Sequence, residues 1–270
     1  MNMTGGLSQL LAGKKALIMG VANKRSIAWG IASAFQREGC ELAFTYAIER
    51  LRENVEELVA TLPDAANVPV YPCDVSKQDE IDATYAKLGE AWGKLDILVH
   101  CIGFAPLEDL KGRFIDTSRE GMRVALEVSA YSLIAITKPA LPLFANAGGG
   151  SVLCLSFDAV NKVVPSYNAM AVAKAGLETT TRYLAADLGP ENVRVNCISA
   201  GAIKTIASSA VKGISSLREQ VEKKAPLRRN ITLEELGDVA VFLASDRSRC
   251  ITGSTIFADN GFNLLGASWV

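Results

Sequence analysis

Histidine is almost missing from this chain: His100 is the only one in 270 residues. Six cysteines (Cys40, Cys73, Cys101, Cys154, Cys197 and Cys250) stand 28 to 53 residues apart, with no Cys-x-x-Cys pair. That scarcity and spacing exclude a Cys/His zinc set and a small disulfide framework, so no metal site is expected. Cysteines placed in apolar runs behave as small core residues, which fits a reducing, cytoplasmic setting. An excess of either charge is lacking too, since 28 Lys and Arg against 29 Asp and Glu leave a net charge of −1. No global field gathers nucleic acid or an anionic membrane, and neither is an expected partner. There is no run of about 18 apolar residues. The opening MNMTGGLSQLLAGKK lacks the charged start and apolar stretch of a signal peptide. No membrane span, internal repeat, low-complexity tract or linker is read from the sequence.

What remains is a chain with 49% hydrophobic residues, enough for a large core. Seven short apolar runs recur: 14–20, 40–46, 68–75, 94–103, 150–156, 193–199 and 253–259. Segments with helical spacing of apolar residues lie between them, at 26–38, 49–61, 77–92 and 166–188. Strands apolar on both faces and separated by helices predict a sheet covered on both sides. The expected architecture is α/β: a single doubly wound Rossmann-type domain over 1–270 with a mostly parallel seven-stranded sheet.

Ligands of such sheets bind beyond the carboxyl ends of the strands, so the residues closing each run are informative. The first run ends in Gly20 and leads to Ser26 and Ile27. Gly20 permits a sharp turn and close backbone approach, and Ser26 is a good N-cap for a helix whose N-terminus would face a pyrophosphate. The turn is not Gly-x-Gly-x-x-Gly, and an ordinary strand-to-helix turn reads equally well. The third run ends in Cys73-Asp74-Val75, where a carboxylate suits an adenine amino group with Val75 against the ring; a helix cap at Ser76 is the plain alternative. The fourth ends in His100-Cys-Ile102-Gly103-Phe-Ala105, with a glycine that lets backbone approach a ribose. His100 itself reads as a satisfied strand-end residue rather than an acid or base. After the sixth run, Gly201-Ala-Ile203-Lys204-Thr205 offers backbone donors and a hydroxyl for a carboxamide and a phosphate, or simply a loop entering a helix.

Tyr167 is followed seven positions later by Lys174. That spacing places phenol and ammonium on one helix face, two turns or roughly 10 Å apart. In a cofactor fold such a pair suits proton management beside a hydride transfer.

Taken together, the Gly20/Ser26 turn, Cys73-Asp74-Val75, the stretch 100–106, Tyr167-x6-Lys174 and the stretch 201–205 resemble the enoyl-acyl-carrier-protein reductases of bacterial fatty acid synthesis. These are members of the short-chain dehydrogenase/reductase superfamily, and the resemblance runs from about Gly13 to Gly261. In the wider superfamily the tyrosine and lysine are usually four apart, and here position 171 is Ala. The longer spacing has a chemical reason. An enoyl reductase delivers hydride to Cβ while the thioester oxygen sits two carbons further on, so the hydrogen-bond donor must reach further from the cofactor.

The resemblance implies Tyr167 and Lys174 as catalytic residues, the phenol on the thioester oxygen and the ammonium on the nicotinamide ribose. It implies cofactor contacts at Gly20, Ser26, Ile27, Ala47, Asp74, Val75, Ile102, Gly103, Lys174, Ile203, Lys204, Thr205, Ile206 and Ala207. It implies substrate contacts at Ala105, Phe157, Tyr167 and Ile206, and a helical substrate-binding loop at about 205–230. Phe157 stands where many members carry a second tyrosine, and reads as an apolar wall or as a core aromatic. Ala202 replaces a common proline and is expected to loosen its loop. Glu49, just after the second strand, would oppose a 2′-phosphate, so NADH is expected rather than NADPH. Six basic residues in 211–230 (Lys212, Arg218, Lys223, Lys224, Arg228 and Arg229) face two acidic ones; they would steer an acidic acyl carrier protein, or form a merely solvated helix face. A homotetramer is implied. The competing readings are a carbonyl or alcohol oxidoreductase of the superfamily and a non-catalytic dinucleotide-binding protein.

Overall fold

The structure is a computed structural model that describes residues 9–205 and 213–266. Every predicted apolar run holds a strand: β1 Lys15–Met19, β2 Glu41–Tyr46, β3 Val70–Pro72, β4 Ile97–His100, β5 Gly150–Ser156, β6 Val193–Ala200 and β7 Thr255–Ala258. They form one sheet in the order β3-β2-β1-β4-β5-β6-β7. Each pairing is parallel, so the sheet is wholly parallel rather than mostly so. The order reverses between β1 and β4, which opens a crevice at the carboxyl rim.

Alternation along each strand feeds two cores. On one face Ala16, Ile18, Phe44, Val99 and Leu155 pack against helix α1 (Ile27–Arg37) and helix α9 (Leu233–Ala244). Helix α1 buries Ala28, Ile31, Ala32 and Phe35, a spacing that keeps one side inward. Full burial of a side chain such as Phe35 contributes about 2–3 kcal/mol. On the other face Leu17, Met19, Leu98, Cys154 and Val195 meet helices α3 (Gln78–Trp92), α5 (Ser132–Thr137), α6 (Leu141–Ala147) and α7 (Asn168–Leu188). Helix α2 (Arg52–Val59) covers β2, and helix α8 spans Ile214–Lys224.

Helix boundaries depart from the sequence reading in instructive ways. The segment 49–61 divides into a tight turn at Glu49–Leu51 and the shorter α2. Helix α7 starts at Asn168, because Ser166 adopts φ +62° and a left-handed residue cannot continue a right-handed helix. Tyr167 therefore caps the helix instead of lying within it. Helix α4 (Arg119–Leu126) runs into α5 through a wide turn at Glu127–Tyr131 with π-helical bonding. The whole run Arg119–Ala147 is long and apolar enough to cross a membrane by length and composition alone. More than half of its most apolar window is buried inside the fold, as expected of a core helix.

Helix-to-strand turns share one conformation: Gly39, Gly93, Gly148, Asn192 and Gly253 all have positive φ, and each precedes a strand. All lie on the rim opposite the carboxyl ends.

Candidate active site

Helix α7 carries Lys174 beneath the ends of β4 and β5. Its ammonium donates to the carbonyl of Leu155 at 2.7 Å and, more weakly, to that of Ile102 at 3.4 Å. The side chain is 7% exposed, and burial lowers its pKa from the ordinary lysine value. An ammonium has three donors, so the two carbonyls leave one for a ligand.

Tyr167 lies two helical turns before Lys174, half-buried at the head of α7. Its ring meets that of Phe157 edge-on, with centroids 5.3 Å apart. It also packs against a small third core of Ala105, Leu110, Ala125, Ala169, Met170 and Ala173. Burial raises the pKa of its phenol, so it is a neutral donor at ordinary pH. Its oxygen has no hydrogen-bond partner among the described residues. The apolar surroundings of Phe157, Ala105 and Met170 thus hold a phenol whose hydroxyl is available to a ligand.

The β1 turn differs from its sequence reading. Gly20 has φ +99°, and a Cβ there would lie 2.1 Å from the Cys101 carbonyl oxygen, so the glycine is required by backbone packed on backbone. Ser26 occupies the N-cap of α1, yet its hydroxyl does not cap the helix. It accepts instead from the N–H groups of Ala22 and Asn23, at 3.1 and 3.0 Å, and folds the turn back on itself. The helix end at Ile27 keeps no side-chain cap, which leaves its positive dipole end available to an anion.

At the end of β2, Ala47 is exposed. Glu49 accepts from the Tyr46 hydroxyl at 3.4 Å and from Arg52 at 3.3 Å. After β3, Asp74 accepts from the Ser76 N–H at 3.0 Å and its hydroxyl at 2.7 Å, while the helix begins only at Gln78. The carboxylate therefore shapes the turn and does not cap at Ser76. Burial of Asp74 opposes ionisation, but the Ser76 bonds prevail and its pKa is lowered. Val75 is 7% exposed and packs in the core on the α3 side.

Beyond β4, Gly103 faces Lys174: a Cβ there would lie 3.4 Å from the ammonium nitrogen. Ile102 is half-buried and Ala105 is buried. His100 is fully buried, its Nε2 bonded to Ser132 Oγ at 2.7 Å. Ser132 donates its own proton to the Val128 carbonyl at 2.6 Å, so His100 carries the hydrogen on Nε2 and Nδ1 has no partner among the described residues. Burial depresses its pKa to about 3, which keeps it neutral and outside acid–base work.

Past β6, Ala202 and Ile203 are buried, Lys204 is exposed and Thr205 half-buried. Bonds from Ile203 N–H to the Gly201 carbonyl (2.8 Å) and from Gly201 N–H to the Ala258 carbonyl (2.8 Å) hold the loop. The alanine at 202 is buried between these bonds. Ile206, Ala207 and Lys212 lie outside the described residues.

The enoyl-(acyl carrier protein) reductase family model matches residues 20–263. A relative in Aquifex aeolicus, an NADH-dependent enoyl-acyl-carrier-protein reductase by name, is 48% identical over 95% of this chain and 94% of its own. The chain belongs to the enoyl-acyl-carrier-protein reductase family. A Bacillus cereus reductase of the same name is 46% identical over 96% of this chain and 100% of its own. The solved Bacillus cereus enzyme with NADP+ and indole naphthyridinone superposes with a TM-score of 0.93 at 46% identity, covering 96% of this chain and 99% of that one. The solved Aquifex aeolicus reductase gives 0.91 at 48% identity, covering 96% and 100%.

Within this reductase fold, several residues near the site escaped the sequence reading. The Leu155 carbonyl holds Lys174, but a backbone acceptor leaves no trace in residue identity. Ser129, fully buried in the π-helical turn, accepts from the Phe104 N–H at 2.9 Å and donates to the Phe104 carbonyl at 3.2 Å. It clamps the loop that carries Gly103 and Ala105. Glu178 is buried one turn beyond Lys174 and accepts from Ser156 Oγ at 2.6 Å. Its place four residues after Lys174 was a readable signal.

Proposed function

We infer that the protein reduces trans-2-enoyl thioesters of acyl carrier protein to saturated acyl thioesters, using NADH, in fatty acid elongation. The observation that carries this reading is the Tyr167 phenol in an apolar wall, without a hydrogen-bond partner among the described residues, two turns from a Lys174 ammonium fixed on backbone. Family membership supplies the reaction class.

Bound nicotinamide supplies the hydride that ends on Cβ. The uncapped start of α1 fits the pyrophosphate of such a cofactor, and Gly103 beside Lys174 fits its ribose. Gly20, Ser26, Ile27, Ala47, Asp74, Val75, Ile102, Ile203, Lys204 and Thr205 frame the same rim, and we assign the dinucleotide to that frame. Tyr167 donates to the thioester oxygen and stabilises the negative charge that develops there. Lys174 holds a positive potential nearby and presents its remaining donor to ribose hydroxyls. Phe157 and Ala105 exclude water from the phenol. A carbonyl reductase of the wider superfamily would carry its lysine four residues after the tyrosine, and position 171 is Ala, which speaks against that reading.

Preference for NADH rests on Glu49, whose carboxylate stays at the end of β2 through Tyr46 and Arg52. Arg52 is also bound to Glu56 at 2.8 Å, so it is not a ready partner for a 2′-phosphate. The acyl chain would lie under the loop at about 205–230. Arg218, Lys223, Lys224 and Arg228 would face the acidic carrier, whereas Arg229 is spent on Glu235 at 2.6 Å. A homotetramer accords with Tyr131, Ile134, Val172 and Tyr183, large apolar residues exposed along the π-helical turn, α5 and α7, Tyr183 at 76%. A cytoplasmic setting accords with six unpaired cysteines.

The deciding experiment follows NADH and NADPH absorbance with crotonyl and dodecenoyl thioesters, and with a ketoacyl thioester as control. Oxidation of NADH with the enoyl compounds alone supports the reading. Oxidation only with the ketoacyl compound, or none, overturns it.

A further inference from the structure

Lys174 is surrounded by groups that offer little compensation for its burial. His100 and Cys101 at the end of β4, Cys154 on β5, Cys197 on β6 and Glu178 on its own helix are the titratable groups that face it. His100 is neutral. Burial raises the Cys101 thiol to about 12. Cys154 and Cys197 are register partners across β5 and β6 and both fully buried, so loss of a proton from the pair would leave a thiolate in a dry interior. The Cys197 thiol is pushed up by its bond to Cys154 and by burial, while hydrogen bonds from Cys197 and Thr181 pull the Cys154 thiol down against its burial. Glu178 is the one carboxylate in the set.

The placement of Glu178 is specific. Lys174 and Glu178 are each only 7% exposed and stand four residues apart on α7, hence on one helix face; their charged ends form no ion pair within 4 Å, so the carboxylate acts on the ammonium through space. The same strand end tethers both. Leu155 accepts from Lys174 through its carbonyl at 2.7 Å, and the next residue, Ser156, donates through its hydroxyl to Glu178 at 2.6 Å. A buried carboxylate with no stabilising role would be strongly unfavourable in such a place. We propose that Glu178, fixed by Ser156, is a positioning residue that keeps the buried Lys174 protonated and aligned toward the cofactor ribose.

The direction of the effect follows from electrostatics. Burial lowers the lysine pKa, and a nearby carboxylate favours the ammonium and opposes that fall. Without the carboxylate the ammonium would lose its proton at a lower pH. Glu178→Gln retains the size of the side chain and an acceptor for Ser156, and removes only the charge. The inference rests on the reductase reading for its consequence in turnover, but its effect on cofactor binding can be read without turnover.

The test measures the NADH dissociation constant by the fluorescence of bound NADH from about pH 6 to 10. In parallel, kcat/KM is measured with crotonyl thioester. For Glu178→Gln, the alkaline loss of both NADH affinity and kcat/KM is expected to begin about one pH unit lower than in the wild-type protein. Near the acid end of that range the two proteins should bind NADH alike. Equal loss at every pH, or an unchanged alkaline limb, would overturn the proposal, because a purely structural role moves no titration. Should Glu178→Gln fail to fold, Glu178→Asp and Glu178→Asn are equally shortened and differ only in charge, and the same displacement must separate them. A wild-type protein that binds NADH yet leaves enoyl thioesters unreduced would refute the reductase reading, while the binding arm still judges Glu178.

Discussion

The ring of Phe157 stands edge-on to that of Tyr167, at 5.3 Å between centroids and 66° between planes. Such a contact is worth about 0.5–1.5 kcal/mol and limits how the phenol can swing. Replacing Phe157 with Ala should lower kcat by roughly 5–10-fold, the rate equivalent of about 1 kcal/mol, and move the NADH dissociation constant by less than about twofold. Steady-state kinetics beside a binding titration would separate the two. A loss expressed wholly in NADH affinity would place Phe157 against the cofactor instead.

Removal of the Tyr167 hydroxyl should act on chemistry alone. Tyr167→Phe is expected to lower kcat by about 100-fold or more, as for loss of an oxyanion donor. Thermal stability should not fall, because the variant removes a polar atom that has no protein partner among the described residues. An unchanged kcat would remove the phenol from the reaction.

Cofactor choice should respond to one carboxylate. Glu49→Gln keeps the bond from Tyr46 available and removes the charge that repels a 2′-phosphate. The ratio of kcat/KM for NADPH to that for NADH should rise about tenfold, the equivalent of roughly 1.4 kcal/mol. If the ratio stays constant, selectivity lies elsewhere on the rim.

The single histidine gives stability a pH signature. His100 has its pKa depressed to about 3 by burial, whereas the unfolded chain protonates near the ordinary imidazole value of 6.5. Above pH 6.5 both states carry neutral imidazole and the full stability is present. As pH falls below 6.5 the unfolded chain takes up a proton that the fold refuses, and stability declines by up to about 1.4 kcal/mol per pH unit. Urea unfolding at pH 7, 6 and 5 should show roughly 2 kcal/mol of loss before carboxylates titrate in earnest. His100→Asn, whatever its absolute stability, should flatten that slope; an equal slope in the variant would disprove the assignment.

The strands were legible because each is apolar on both faces, as in Ala16-Leu-Ile-Met19, a pattern only a sheet covered on two sides explains. Lys174 and Tyr167 were legible as a pair through their spacing, yet the helix start between them was not, since nothing in the residue types forces Ser166 into a left-handed conformation. Ser26 was read correctly as an N-cap position and incorrectly in the direction of its bonds, because a hydroxyl can serve either the helix or the turn before it. Asp74 behaved likewise. Contacts made by backbone, such as Leu155 with Lys174, depend on strand register, which identity alone does not specify. The clamp by Ser129 depends on the extra residue in the π-helical turn, for which no sequence signal was read.

In a wholly parallel sheet the two rims are chemically unequal. The turns before β4 and β5 at Gly93 and Gly148 belong to the rim away from the candidate site, and beyond the Cβ of either there is open space within 4 Å. A tether, dye or fused peptide attached there would leave the opposite rim unobstructed. Immobilised by that side, every molecule on a surface would present its reactive crevice outward, which makes orientation on a sensor or support a property of the chain topology itself.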